Sequence, residues 1–313
     1  MIKTHTLFRD VHESILKLNH FIKDDGYYFE KINLAQLELL TAPLLRINYT
    51  EIEYIQLQDG TVVSNNFYRA YNRSNISNDL MLNDETLYYI ILTKDELING
   101  NENENNIMAK SDEVRKYSLN LLKKLHLLKN SSIEYITTIQ YDYEKKNWKS
   151  GIDFGDIRRF FILRLKIEDS ELEFSETLIK NDLFDDSSFQ LSIDFFQLAY
   201  RTDNMQLCYL NLMTSLESIF NNSTNPIAHT VARHLALILV DNKEDFLLKY
   251  KEIKKMYDLR SAIVHGASKQ DYKKVSGNFD ILTLYTLKAL QFVNEKKLDK
   301  KQLFDFLNSY GFS

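Results

Sequence analysis

The spacing of apolar residues changes near residue 187, which divides the chain into a mixed part and a helical part. In the first part, residues 47–57 alternate apolar and polar positions, and Asp59-Gly60 separates them from a run rich in β-branched and aromatic residues. This pattern predicts a β-hairpin, because strands alternate their two faces and Asp-Gly is a favoured turn. Further strands are predicted at 86–92, 132–143 and 158–168, helices at 8–22 and 111–128, and a polar loop at 99–106. We therefore predict an α+β domain over residues 1–186.

From residue 187 onward, apolar residues recur at helical spacing and no strand pattern appears. The connections between the apolar-faced segments are short, which favours an antiparallel arrangement of helices. The predicted helices are 187–204, 205–220, 226–240, 242–265, 279–296 and 299–309. Residues 187–313 are thus predicted to form an all-α helical bundle.

Composition is typical of a globular protein with two cores: 313 residues, 44% hydrophobic and 27% charged. The first residues lack the pattern of a secretory signal, and no apolar run approaches the length needed to span a bilayer. The single cysteine, Cys208, excludes an internal disulfide and suits a reducing compartment. We expect a soluble cytoplasmic protein without membrane contact, in which Cys208 is buried.

The charge is unevenly distributed along the chain. The net charge is −5, which argues against nonspecific DNA coating. Residues 200–313 nevertheless carry 16 basic against 12 acidic side chains, whereas the remainder carries 23 against 32. This asymmetry favours contact between the C-terminal part and a polyanion.

The candidate chemistry lies in the segment DLRSAIVHG, where Arg260 and His265 stand five residues apart just before Gly266. Gly266 predicts that the helix ends at the histidine, where unpaired carbonyls favour a cationic side chain. Five helical residues correspond to about 140° of rotation, so the two side chains share a site only if the last turn relaxes or a second copy contributes. Tyr257 and Ser261 add hydroxyls beside the arginine.

This region resembles the HEPN superfamily of helical domains, in its ApeA-like branch. The resemblance covers roughly residues 190–310 and is carried by the pieces LMTSLESIF, IAHTVARHLALIL and MYDLRSAIVHG. Arg260, Ser261 and His265 match the R-x4-H catalytic signature of that superfamily, and Glu217 and Arg233 match its supporting glutamate and arginine. The resemblance implies that Arg233 pairs with Glu217 to hold the site.

The resemblance implies an endoribonuclease that works without metal or cofactor at a site shared by two protomers. The residue types suit that chemistry, because histidine can act as a base or an acid, and arginine can bind a phosphate through two nitrogens. No H-E-x-x-H or clustered-carboxylate motif occurs, which argues against zinc or magnesium. The implied partners are RNA, a second copy bound through the C-terminal helical domain, and a phage-derived trigger or an antitoxin, as in bacterial antiphage defence or toxin systems. Residues 1–186 would then be the sensor or regulator.

Other interpretations stay open at this point. The R-x4-H residues could hold together a noncatalytic HEPN dimerisation or RNA-binding module, or the bundle could bind a small molecule. Arg233 could form an ordinary surface ion pair, and His229 and His234 have poor spacing for a metal site, which favours structural roles. The aromatic strands of the first domain could stack bases, although core packing is the simpler interpretation. No glycine-rich phosphate loop and no G-x-S-x-G motif occurs.

Overall fold

The computed structural model divides the chain into two compact units, Met1–Leu122 with Ser131–Ile157 and Ile162–Glu176, and Lys123–Asn130 with Arg158–Phe161 and Thr177–Ser313. Thus the second unit contains the whole predicted helical segment together with a short piece from the middle of the chain. The structure describes residues 2–33, 35–37, 39–40, 54–56, 62–64, 89–96, 104–148, 153–154, 164–180, 187–202, 204–221, 227–266 and 269–309.

An antiparallel sheet dominates the described part of the first unit. The described strands are β1 (Ile2–Arg9), β2 (Tyr27–Ile32), β3 (Tyr54–Gln56), β4 (Val62–Ser64), β5 (Tyr89–Glu96), β6 (Glu134–Asp142), β7 (Asn147–Trp148) and β8 (Asp153–Phe154). In the main sheet the strands are hydrogen-bonded in the order β2-β5-β1-β6-β7, and β8 also pairs with β6. A separate two-stranded sheet pairs β3 with β4.

The central strands are buried on both faces, and several of the buried side chains are polar. One apolar cluster of buried residues joins Leu7 and Ile91 of the central strands with residues of β2, β6 and the segment after β2. On the other side, the Thr6 hydroxyl lies 2.8 Å from the Ser118 hydroxyl and 3.1 Å from the Thr138 hydroxyl, all in buried positions. These hydrogen bonds satisfy polar groups that could not remain unpaired inside the fold.

The predicted hairpin is confirmed where the structure describes it, since β3 and β4 pair in antiparallel register. Its turn at Asp59-Gly60 lies outside the described residues. The predicted strand at 132–143 is confirmed as β6, and that at 86–92 overlaps β5. Of the predicted strand at 158–168, residues 158–163 lie outside the described residues. In the described residues 164–168 the prediction was wrong, because they form an isolated bridge between Leu165 and Val11 and no strand.

Two helix predictions in the first part were wrong at their start. Residues 2–9 form β1, and the helix predicted at 8–22 is instead a 3-10 helix over Glu13–Leu18 followed by one α-helical turn, α1 (Asn19–Ile22). The helix predicted at 111–128 is α2 (Glu104–Leu128), so the last residues of the predicted loop at 99–106 are helical. A further helix, α3 (Leu172–Lys180), was not predicted.

The C-terminal region is mostly helical, which confirms the coarse prediction of an α+β part followed by a helical part. The helix predicted at 279–296 begins ten residues earlier, and the other helix positions agree to within a few residues. Cys208 is buried, as predicted. The helices are α4 (Ser187–Arg201), α5 (Met205–Phe220), α6 (Ile227–Leu239), α7 (Lys243–Val264), α8 (Lys269–Lys296) and α9 (Lys300–Ser309).

The end of α2 contributes to the core of the second unit through polar contacts. The His126 ring stacks on Tyr200 with centroids 4.5 Å apart, and its Nδ1 lies 3.1 Å from Gln197 Oε1. Gln291 Nε2 of α8 donates to the carbonyls of Leu127 and Leu128, at 2.9 and 3.1 Å. Since the last carbonyls of a helix have no partner within it, Gln291 stabilises the end of α2.

Among the described helices, none is both long enough and apolar enough to cross a membrane.

Candidate functional site

The helix that carries the R-x4-H residues ends as predicted. Helix α7 begins behind Asn242, whose side chain accepts a hydrogen bond from the Asp245 amide at 2.9 Å, and it ends at Val264. The His265 amide donates to the Ser261 carbonyl at 3.1 Å, and Gly266 follows with φ = 97°. That left-handed conformation suits glycine, because other residues pay a steric cost there. The backbone therefore turns away directly after the histidine.

An ion pair joins α7 to α5 at the centre of the candidate site. Arg260 Nε lies 3.2 Å from Glu217 Oε1, and Nη2 lies 3.4 Å from Glu217 Oε2. The first contact lacks the alignment of a hydrogen bond, so its attraction is mainly electrostatic. The side chains are 28% and 13% exposed, which places the pair at the edge of the bundle.

The position of Glu217 explains why a guanidinium is needed beside it. Glu217 lies in the last turn of α5, and its backbone carbonyl accepts the Asn221 amide at 2.8 Å. A carboxylate at the C-terminal end of a helix is disfavoured by the helix dipole. The positive charge of Arg260 offsets this repulsion, so the two residues stabilise each other across the helix pair.

Tyr257 completes this group, one turn before Arg260. Its ring centroid lies 5.7 Å from the Arg260 guanidinium carbon. Burial, followed by the negative charge of the nearby Glu217, raises the pKa of Tyr257 above its usual value. The phenol therefore stays protonated at neutral pH and adds no second negative charge beside Glu217.

A residue that sequence reasoning missed aligns the two helices. The Tyr209 hydroxyl of α5 donates to the Met256 carbonyl of α7 at 3.0 Å, and the tyrosine is fully buried. This bond holds α7 next to α5 immediately before Tyr257. Because Tyr209 lies within a broadly apolar helix, its spacing alone carried no signal of this role.

Arg233 lies in a different part of the structure from the one the resemblance implied. Its Nη1 donates to the Leu307 carbonyl of α9 at 3.0 Å, whereas Glu217 is paired with Arg260. The expected Arg233–Glu217 pair is therefore wrong. Arg233 instead stabilises the end of α9, where helix carbonyls lack partners. The reason is that the turn of α6 carrying Arg233 packs beside α9, a contact that motif order does not reveal.

The two neighbouring histidines have structural environments. His234 is buried between Phe220 and Phe304, with ring centroids 5.9 and 5.3 Å away, and its Nε2 lies 3.2 Å from Asn308 Oδ1. His229 is exposed, and its Nδ1 lies 2.9 Å from the Tyr250 hydroxyl. These contacts agree with the structural interpretation of both residues.

His265 is exposed at the end of α7, and Ser261 is half-buried one turn before it. Arg260 turns toward α5, and the exposed His265 stands five residues later, about 140° around the helix, so within one chain the two side chains lie on different sides of α7. The structure thus brings Glu217, Tyr257 and Arg260 together and leaves His265 open to solvent near the same helix end. In the described part of the chain, no three His, Cys, Asp or Glu side chains gather as a metal site.

Comparisons with protein-family models, curated proteins and solved structures found no match for this chain. The interpretation of the site therefore depends on the quoted sequence pieces and on the geometry described above.

Proposed function

We propose that this protein is a metal-independent endoribonuclease of the HEPN type, acting in the cytoplasm as part of a bacterial antiphage defence or toxin system. The observation that carries the proposal is the contrast at the end of α7. Arg260 is held in place by Glu217, while His265 is exposed at the C-cap and the backbone leaves the helix after it, at Gly266. A positioned cation next to an accessible imidazole suits phosphodiester chemistry.

The proposed reaction is an internal transesterification. One His265 removes the proton of the ribose 2′-hydroxyl, the 2′-oxygen bonds to phosphorus, and the bond to the 5′-oxygen breaks. A second, protonated His265 gives its proton to that 5′-oxygen. The products carry a 2′,3′-cyclic phosphate and a free 5′-hydroxyl, and no metal enters any step.

The acid and the base come from two protomers in this scheme. Arg260 and His265 lie on different sides of α7, so a homodimer through the C-terminal helical domain would bring one protomer's imidazole to the other's guanidinium. Glu217 engages Nε and Nη2 of Arg260, which leaves Nη1 for a phosphate oxygen. Ser261 adds a hydroxyl between the two groups. The guanidinium would offset the charge that develops on the phosphorane.

The same ion pair favours a second candidate, a noncatalytic HEPN dimerisation or RNA-binding module. In that function, Arg260 would serve to hold α7 against α5, because Glu217 already neutralises its charge. The first unit would be a sensor or regulator in either case, responding to a phage-derived trigger or an antitoxin. The two candidates differ in whether the exposed imidazole is needed for RNA cleavage.

Replacing His265→Ala tests the proposal most cleanly. The side chain is exposed, so the free energy of unfolding should change by less than about 0.5 kcal/mol. Cleavage of total RNA by the purified protein should fall by at least about 100-fold, because a general base or acid typically contributes that much. Sequencing of the cleaved ends should identify 2′,3′-cyclic phosphates in the wild-type reaction.

His229→Ala is the matched control, since His229 is an exposed histidine of the same helical region. It should cleave RNA as the wild type does. Arg260→Ala is less informative, because it also breaks the pair with Glu217. Equal cleavage by wild type and His265→Ala, or none by either in the dimeric state, would favour the noncatalytic module.

A further inference from the structure

One face of α7 carries three exposed lysines. Lys251, Lys254 and Lys255 are all exposed, and no acidic side chain of the described residues pairs with any of them. Lys249, on the same helix, differs: its ammonium group lies 2.7 Å from Glu252 and also bonds the Tyr285 hydroxyl. The helix therefore separates Lys249, turned toward α8, from three exposed lysines that have no acidic partner in the part of the chain the structure describes.

The three lysines are aligned with His265. At 3.6 residues per turn, their side chains and that of His265 fall within about 100° of the helix circumference. The three lysines span about 6 Å along the axis, and His265 lies about 15 Å beyond Lys255, at 1.5 Å per residue. Asp258 lies within the same arc, so the stripe keeps a positive surplus. We call these three lysines the lysine stripe.

We propose that the lysine stripe binds the phosphate backbone of a single RNA strand and guides it to His265. The proposal rests on the ribonuclease function proposed above. A chain of net charge −5 repels polyanions as a whole, so a strand needs a local positive surface to approach this helix end. A strand held at the lysine stripe would reach His265 after about four further stacked nucleotides, at roughly 3.4 Å each.

RNA fits the stripe better than an anionic membrane does. Leu247 and Leu248 are exposed near the start of α7, which could suggest insertion into lipid. An amphipathic membrane helix, however, needs a continuous apolar face to bury in the interface. The apolar face of α7, with Ile253, Met256 and Leu259, is already buried inside the bundle. The stripe therefore suits a ligand that is held by charge alone.

The test combines Lys251→Gln, Lys254→Gln and Lys255→Gln in the full chain carrying His265→Ala, so that the RNA stays intact. Binding of a fluorescent 20-nucleotide single-stranded RNA is measured by anisotropy over a series of salt concentrations. The control combines Lys288→Gln, Lys297→Gln and Lys301→Gln, which remove the same charge from exposed lysines elsewhere in the helical region. Circular dichroism confirms that both variants are folded.

The stripe variant should bind at least 10-fold more weakly at low salt, and the slope of log K against log salt should fall by about 2, at roughly 0.7 per lost phosphate contact. The control should stay near the parent protein. Equal losses in both variants, or no RNA binding by the parent, would overturn the proposal. Binding of the parent to phosphatidylserine vesicles instead of RNA, lost in the stripe variant, would show that the surface serves a membrane.

The outcomes distinguish this proposal from the ribonuclease proposal. If the wild-type protein does not cleave RNA but the stripe variant loses RNA binding, the RNA-binding surface is supported and the ribonuclease proposal is rejected. If RNA cleavage depends on His265 but RNA binding is unchanged in the stripe variant, the ribonuclease proposal is supported and the RNA-binding surface is rejected.

Discussion

At the scale of single residues, the hydrogen-bond partners of the buried His5 determine which of its ring nitrogens carries the proton. The buried His5 lies 2.9 Å from the Thr93 hydroxyl through Nδ1 and 3.0 Å from the Tyr143 hydroxyl through Nε2. Because Thr93 donates its own proton to Glu30, it must accept from the Nδ1–H of His5. Nε2 then accepts from Tyr143, and burial lowers the pKa of His5 to about 3. The neutral His5 ring, with its proton on Nδ1, thus joins Thr93, Glu30 and Tyr143 in one hydrogen-bond network.

His234 provides a pH prediction at this scale. Burial lowers its pKa to about 4, so the folded protein keeps it neutral while the unfolded chain protonates it near pH 6.5. Between these values the unfolded state binds more protons, and the stability that the neutral ring contributes at pH 7 is lost as pH falls toward 4. His234→Phe should therefore reduce the acid-induced loss by about 2 kcal/mol. Urea unfolding at pH 7 and pH 4.5 measures the difference.

The control is His229→Phe, whose free energy of unfolding is measured at the same two pH values, because His229 is exposed. A parallel loss of stability in wild type and His234→Phe would contradict the buried neutral imidazole.

At the scale of elements, the C-terminal ends of the helices were predicted more reliably than their starts, and the central strand β1 was missed. The end of α7 follows from Gly266, a local requirement for positive φ that the sequence displays directly. Strand β1 was missed because it is buried on both sides with polar residues such as Thr4 and Thr6, which by sequence alone are typical of a surface. Its pairing with β5 and β6 provides the partners that make such burial possible.

Two glycine substitutions should have opposite effects on stability. Gly266→Ala should destabilise the protein by about 1 kcal/mol, because φ of 97° is unfavourable for a residue with a Cβ. No neighbouring atom lies within 4 Å of the added methyl group, so the cost is conformational. Gly277→Ala, exposed in the middle of α8, should stabilise by about 0.5–1 kcal/mol. Thermal unfolding of both variants checks the sign, and a stabilising Gly266→Ala would refute the left-handed helix end.

For the whole molecule, the division into two units does not follow chain order. Residues 123–130 lie between two segments of the first unit but belong to the second, through contacts of His126 with Gln197 and Tyr200 and of Gln291 with the end of α2. The sequence pattern of α2 is that of one continuous amphipathic helix. It therefore does not indicate that residues 123–128 belong to a different unit from the rest of the helix.

Hydrogen–deuterium exchange of Gln291→Ala should show that residues 123–128 belong to the second unit. Loss of two hydrogen bonds to the α2 carbonyls should destabilise the second unit by about 1–2 kcal/mol. Hydrogen–deuterium exchange should then accelerate together in residues 123–128 and in α8, while β1 and β5 keep their protection. The control is Gln302→Ala, which removes a hydrogen bond away from α2, the one from the Asp299 amide to the exposed Gln302 side chain at the start of α9. Acceleration of β1 in step with α8 would contradict two separately cooperative units.

The sequence by itself determined the helical character of residues 187–313, the position of the hairpin and the helix end at Gly266, because periodicity and backbone preference act over a few neighbouring residues. Only the tertiary structure decided that Glu217 pairs with Arg260 across 43 positions and that Arg233 turns instead to α9. It also decided that Tyr209 aligns α5 with α7. Such contacts depend on which helix faces meet in the packed bundle, and that choice is made by the whole set of buried side chains.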